Sequence, residues 1–127
     1  MRRMLSAVLS MLLLLTGCGG TNMNEETYQQ ITQEKAKEMM DTQDVLILDV
    51  REQDEYDSGH IPGAVLIPEY EIADRAESEL TDKNQLILVY CRSGRRSKIA
   101  SQALVDLGYT NVKEFGGIID WEYETVK

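Results

Sequence analysis

The sequence predicts an α/β domain built on a mainly parallel sheet. Three observations carry this. Two nearly continuous apolar runs, VLILDV (45–50) and QLILVY (85–90), have the character of strands covered on both faces. Segments of helical period alternate with the strand runs, as βαβ units require. The 127 residues suffice for one domain with one core and are too few for two.

The elements follow in order. GGTNMNEETYQQ (19–30) is polar and contains Gly and Asn, which reads as a spacer. In ITQEKAKEMM, Thr32 is an expected N-cap, Glu34 suits the first turn, and Ala36, Met39 and Met40 repeat at helical spacing. The run 45–50 is the first clear strand. EQDEYDSGHIPGA gives a short helical turn broken at Ser58-Gly59, then a loop through Pro62-Gly63. VLIP (65–68) is a short strand ended by proline. EIADRAESEL spaces Ile72, Ala73, Ala76 and Leu80 for a helix. The run 85–90 is a buried strand with Cys91 directly after it. SKIASQALVDLG places Ile99, Ala103, Leu104 and Leu107 on one side of a helix that begins near Ser97 and stops at Gly108. NVKEF is one more short strand, and GGIIDWEYE a last short helix.

The first 26 residues stand apart from the fold. Arg2 and Arg3 precede an apolar run from Met4 to Leu15, and Leu15-Thr16-Gly17-Cys18 closes it. A basic start, a short apolar stretch and small residues describe a secretory signal, the run being short for a span of about 20 residues. An uncleaved anchor is the alternative. Leu-Thr-Gly-Cys resembles the lipobox of bacterial lipoproteins, which implies a signal peptide over 1–17, a lipid on Cys18, a tether over 18–26 and a domain over 27–127. The chain would then sit on a membrane outside the cytoplasm, at a Gram-positive surface or in a periplasm.

Charge and cysteine use narrow the function. The formal charge is −9, and removal of Arg2 and Arg3 with the signal takes it to −11. Such acidity disfavours nucleic acid and anionic head groups. One His excludes sites built from several histidines. With Cys18 committed to lipid, Cys91 is the one thiol left, so it is either a buried core residue or a group kept for chemistry.

CRSGRRS (91–97) decides between these. A chain leaving a strand for a helix can curl its amides inward, and Gly94 permits the positive φ this needs. The inward N–H groups and the helix end favour negative charge at the Cys91 sulfur. Arg92, Arg95 and Arg96 then draw small anions to an acidic body. Cys91 becomes a nucleophile, and the amides of Arg92, Ser93, Gly94, Arg95, Arg96 and Ser97 become an anion-binding loop.

At these residues the chain resembles the rhodanese-like family of single-domain sulfurtransferases. LDVREQDEYDSGHIPGAVLIP is similar to the family's first signature, VYCRSGRRS to its active-site loop and GGIIDW to its closing motif. The resemblance implies a five-stranded, mainly parallel sheet flanked by helices on both faces. It implies that Cys91 takes sulfur from a donor such as thiosulfate or a persulfide and passes it, as a persulfide, to a thiophilic acceptor. No metal or organic cofactor is implied. Small sulfur anions or low-molecular-weight thiols, and a protein sulfur acceptor, are the expected partners, with a monomer as the default. Phosphatases sharing the fold use Cys, five residues, then Arg. Here that position is Ser97, and Arg96 comes one step early. Asp49, Arg51, Glu55 and His60 are expected to support the loop, Glu55 by pairing with Arg92 or Arg96. A non-catalytic binding or regulatory module at the cell surface is the alternative function.

Overall fold

The computed structural model describes residues 27–127. The signal peptide expected over 1–17, the lipid expected on Cys18 and the tether expected over 18–26 fall outside the described residues. Among those described, no helix is long and apolar enough to cross a membrane.

Five strands form one parallel sheet: β1 (Gln29–Gln30), β2 (Leu46–Asp49), β3 (Val65–Leu66), β4 (Ile87–Cys91) and β5 (Val112–Gly117), in the order β1-β5-β4-β2-β3. Four α-helices connect them: α1 (Gln33–Thr42), α2 (Gln53–Ser58), α3 (Ile72–Glu79) and α4 (Arg95–Asp106). Short 3₁₀ turns cover Glu69–Glu71 and Ile118–Asp120.

Strand alternation sorts the core into two layers. From β4, Ile87, Val89 and Cys91 face α3 and α4, where Ile72, Ala76, Ala100 and Leu104 meet them. Leu88 and Tyr90 face the other way, onto Ala36 and Met39 of α1 and onto Phe115. All five β4 residues are buried, which explains why this strand reads as an unbroken apolar run. Each large side chain so covered stabilises the fold by roughly 1.5–3 kcal/mol. The helices thus cover both faces.

Several boundaries differ from the sequence reading. β1 lies within the stretch read as spacer. Its two glutamines are exposed and pair with Lys113 and Glu114, so backbone bonds rather than apolar burial hold it. Cys91 is the last residue of β4 rather than the residue after it, and pairs with Gly117. Helix α4 starts at Arg95, two residues before Ser97, with Gly94 as its N-cap at φ 108°. Gly116 and Gly117 end β5 instead of starting a helix, and the helical part shrinks to the turn Ile118–Asp120. Thr32 caps α1 as expected, its side chain accepting from the Lys35 N–H at 3.0 Å.

Candidate active site

The carboxyl ends of β2, β4 and β5 meet the N-terminus of α4 around Cys91. In open α/β sheets this edge is where ligands bind. Gly94, in the left-handed region, turns its N–H back onto the Cys91 sulfur at 3.0 Å. Ser97, in the first turn of α4, holds its Oγ 3.4 Å from the same sulfur. An N–H donor and a helix N-terminus both favour negative charge there.

The loop is locked from the side of β5. Between Val89 and Cys91 the β4–β5 register shifts: Val89 pairs with Glu114, and Cys91 with Gly117. Two steps on β4 therefore match three on β5, which is a bulge. It presses Gly117 against the loop backbone. A Cβ there would lie 2.0 Å from the Arg92 carbonyl oxygen and 2.5 Å from Ser93 Cα, so only glycine fits. The Ile119 N–H donates to that carbonyl at 3.1 Å.

A buried polar network supports β4 from the opposite face. Asp49 accepts from the Arg51 backbone N–H at 2.9 Å, from its guanidinium at 2.8–3.1 Å, and from Tyr90 Oη at 2.6 Å. Arg51 also donates to the Gly59 carbonyl at 2.7 Å, and Tyr90 Oη accepts from the Ile61 N–H at 3.1 Å. Burial, then the neighbouring Asp49 charge, pushes the Tyr90 phenol well up. Asp49 and Arg51 thus tie the end of β2 to the strand that carries Cys91 and to the following loop.

Glu55 holds Arg96. Its two oxygens accept from Arg96 Nη1 and Nη2 at 2.8 and 3.0 Å, and both side chains are 24% exposed. Glu55 Oε1 also accepts the Glu52 N–H at 2.9 Å in a capping box that starts α2. The Arg96 hydrogen bonds hold the Glu55 carboxyl down at about 2. His60, expected to support the loop, instead joins α2 to the C-terminal segment. Its Nδ1–H donates to the Tyr56 carbonyl at 2.9 Å, its ring stacks on Tyr56 at 3.7 Å, and its backbone pairs with Val126.

Arg92 and Arg95 are exposed, and no ion pair among the described residues includes them. Arg92 lines a cavity of about 380 Å³ with Arg51, Asp54, Glu55, Ser58, Ile118 and Ile119. Two features depart from the sequence reading. The nucleophile candidate is covered: Cys91 is only 1% exposed. And Glu114, unremarked in the sequence, is 2% exposed and sits behind Ser97, accepting its hydroxyl at 2.5 Å. No local pattern marked it: Val112 and Glu114 share one face of β5 and Lys113 and Phe115 the other, so alternation leaves each face half apolar and half charged. Among the described residues, no group of three His, Cys, Asp or Glu could hold a metal ion.

Comparison with known proteins agrees with this geometry. The rhodanese-like domain profile matches residues 32–124. Thiosulfate sulfurtransferase PspE of Escherichia coli is 39% identical over 80 residues, which cover 63% of this chain and 77% of PspE. Thiosulfate sulfurtransferase GlpE of Coxiella burnetii is 35% identical over 96 residues, covering 75% and 88%. The putative sulfur carrier protein YrkF of Bacillus subtilis is 38% identical over 104 residues, covering 80% of this chain and 55% of YrkF. Among solved structures, a rhodanese with anions from E. coli superposes with a TM-score of 0.62 at 37% identity, covering 66% of this chain and 99% of that one. The solution structure of an Anabaena rhodanese-like domain gives 0.72 at 30%, covering 79% and 80%. Sheet order, a cysteine at the strand end, a glycine-turned loop and these matches together make the chain a member of the rhodanese-like domain family.

Proposed function

We propose that the protein is a rhodanese-type sulfurtransferase that carries sulfane sulfur on Cys91. One observation carries the reading: the Cys91 sulfur lies at the head of α4 with the Gly94 N–H 3.0 Å away. The names of relatives such as PspE and GlpE support the same activity class.

In the first step the Cys91 thiolate attacks the outer sulfur of a donor such as thiosulfate. A Cys91 S–S bond forms, the donor's S–S bond breaks, and sulfite leaves with the bonding pair. In the second step a thiophilic acceptor attacks the outer persulfide sulfur, and the Cys91 thiolate returns as leaving group. Splitting the transfer into two displacements is the gain from covalent catalysis, and the loop amides and helix end stabilise the anionic sulfur in both. Arg92 and Arg95 attract the donor. Small sulfur anions, low-molecular-weight thiols or a protein thiol serve as partners, and a lipid on Cys18 holds the domain on a membrane outside the cytoplasm.

A second reading has its own support. The 1% exposure of Cys91 suits a binding or regulatory module whose cysteine never meets a donor. Intact-mass measurement separates the two. After incubation with thiosulfate or a thiol persulfide, the purified chain should gain one sulfur atom on Cys91 and lose it to cyanide or thiols. No gain with any donor, with Cys91→Ser keeping its partner, would leave the binding reading standing.

A further inference from the structure

A covered thiol cannot easily hand its proton to bulk water, yet the nucleophile of the proposed reaction is the thiolate. The structure offers an internal acceptor. Behind Cys91 runs a chain of two hydrogen bonds: Cys91 Sγ to Ser97 Oγ at 3.4 Å, and Ser97 Oγ to Glu114 Oε2 at 2.5 Å. Ser97 has one hydrogen to give. With an ionised carboxylate that close, the hydrogen points to Glu114, and the Oγ lone pairs face the thiol. The Gly94 carbonyl, at 3.0 Å from Oγ, competes less well because it carries no charge.

Glu114 is an unusual group to find there. It lies on β5, facing α4, 2% exposed, and no ion pair among the described residues includes it. Its carboxylate accepts the Gly116 N–H at 2.8 Å and Gln30 Nε2 at 3.3 Å. Two neutral donors and the Ser97 hydroxyl hold it, with no cationic side chain among them.

We propose that Glu114 accepts the Cys91 proton through Ser97, so that thiolate at Cys91 is matched by a neutral carboxyl at Glu114. The Cys91 S–H bond breaks and its proton bonds to Ser97 Oγ, while the Ser97 hydrogen passes to Glu114 Oε2. The trio carries one negative charge before and after, and no further reactant is needed. Reversal returns the proton when Cys91 leaves its sulfur with an acceptor. Glu114 acts through Ser97 and is a positioning residue rather than a catalytic one. This rests on the reading of Cys91 as a nucleophile.

Other charges around the trio are fixed or outside it. Arg96 of α4 bears on Cys91 and is held by Glu55 of α2. Arg51 is held by Asp49, and Arg92 lies across the cavity. Lys98 and Asp120 line the groove that Glu114 shares with Gln30 and Gly94, and the Tyr28 hydroxyl bears on Glu114 from β1's side.

Alkylation tests the relay without any sulfur donor. The full chain is treated with iodoacetamide, and an infrared difference spectrum is recorded at neutral pH. A protonated-carboxyl band should appear as Cys91 is capped, because the thioether cannot take the proton back and it stays on Glu114. The band should be missing in Glu114→Gln. The alkylation rate at pH 6 should fall about tenfold or more in Glu114→Gln and in Ser97→Ala, with the acid limb moved to higher pH. The double variant should add little. Absence of the band in the wild-type chain overturns the proposal, even should a variant fail to fold. So does a Glu114→Gln chain that alkylates as fast or faster at pH 6, since Glu114 would then be only a fixed charge opposing the thiolate. Loss of sulfur transfer with these signals intact would count against the enzyme reading and not against the relay.

Discussion

Replacing Glu55 by Gln should both weaken the fold and change its response to acid. The wild-type carboxylate pairs with both Arg96 nitrogens and caps α2 with the same Oε1. Its folded value of about 2 lies below the ordinary 4.5. A depressed carboxylate contributes stability above its unfolded value and loses it as pH falls through the folded one. The window is therefore pH 4.5 down to about 2. Taken whole, such a depression is worth about 3 kcal/mol. At 24% exposure, solvent screening cuts this to about 1–2 kcal/mol. Urea denaturation at pH 7 should show Glu55→Gln less stable by that amount, and at pH 2 the two chains should nearly converge. Glu55→Gln also frees Arg96 beside the loop, so KM for a dianionic donor should fall several-fold at low salt. Equal stability losses at both pH values would refute the charge argument, because the amide keeps the shape and the Oε1 cap, and the acceptor it lacks toward Arg96 Nη2 is one that the protonated carboxyl also weakens.

Three further substitutions follow from the same contacts. Gly117→Ala should displace the loop at Arg92 and Ser93, costing about 2–4 kcal/mol in denaturant and abolishing sulfur loading read by mass. Asp49→Asn leaves the Arg51 guanidinium buried without a counter-charge, and a loss of about 3 kcal/mol in urea is expected. Tyr90→Phe strands the Ile61 N–H and removes one donor from Asp49. Its cost should be about 1–3 kcal/mol, seen as faster amide exchange at Ile61.

The parts of this fold that bury apolar side chains were legible in the sequence. β2 and β4 appear as apolar runs because helices cover both sheet faces, and α4 appears because Ala100, Ala103, Leu104 and Leu107 recur at helical spacing. The loop was legible because Gly94 needs its positive φ wherever a strand turns straight into a helix. β1 was not, since two exposed glutamines held by backbone pairing leave no apolar trace. Gly116 and Gly117 read as the start of a short helix, whereas the bulge makes them the place where β5 presses on the loop. Glu114 was hidden for a related reason. Its burial depends on the β4–β5 register, which no local pattern fixes, and a glutamate in a short strand ordinarily faces water.

Charge around Cys91 also looks different in three dimensions. Arg92, Arg95 and Arg96 cluster in the loop's sequence and the fold brings Arg51 to the same cavity, yet two of the four are neutralised: Arg51 by Asp49 and Arg96 by Glu55. Arg92 and Arg95 remain exposed. The acidic chain therefore does not surround its thiol with a large cationic field. It spends two guanidiniums on bracing and leaves two at the mouth. Two unpaired arginines suit a small anion that must arrive and then leave, since in the proposed transfer a deeper well would slow release of sulfite after the first step. The cavity beside Arg92 is walled by Ile118 and Ile119, the latter 59% exposed, so an incoming group meets a cation and an apolar wall together. Thiosulfate has no apolar surface to use that wall, whereas an alkyl persulfide carries both an anionic sulfur and a hydrocarbon body. Raising salt should therefore weaken thiosulfate more than an alkyl persulfide, because screening touches only the arginine contribution. Sulfur loading by a short and a long alkyl persulfide of equal charge, compared at high salt, decides it, and equal KM values would mean that the isoleucine wall has no part in donor binding.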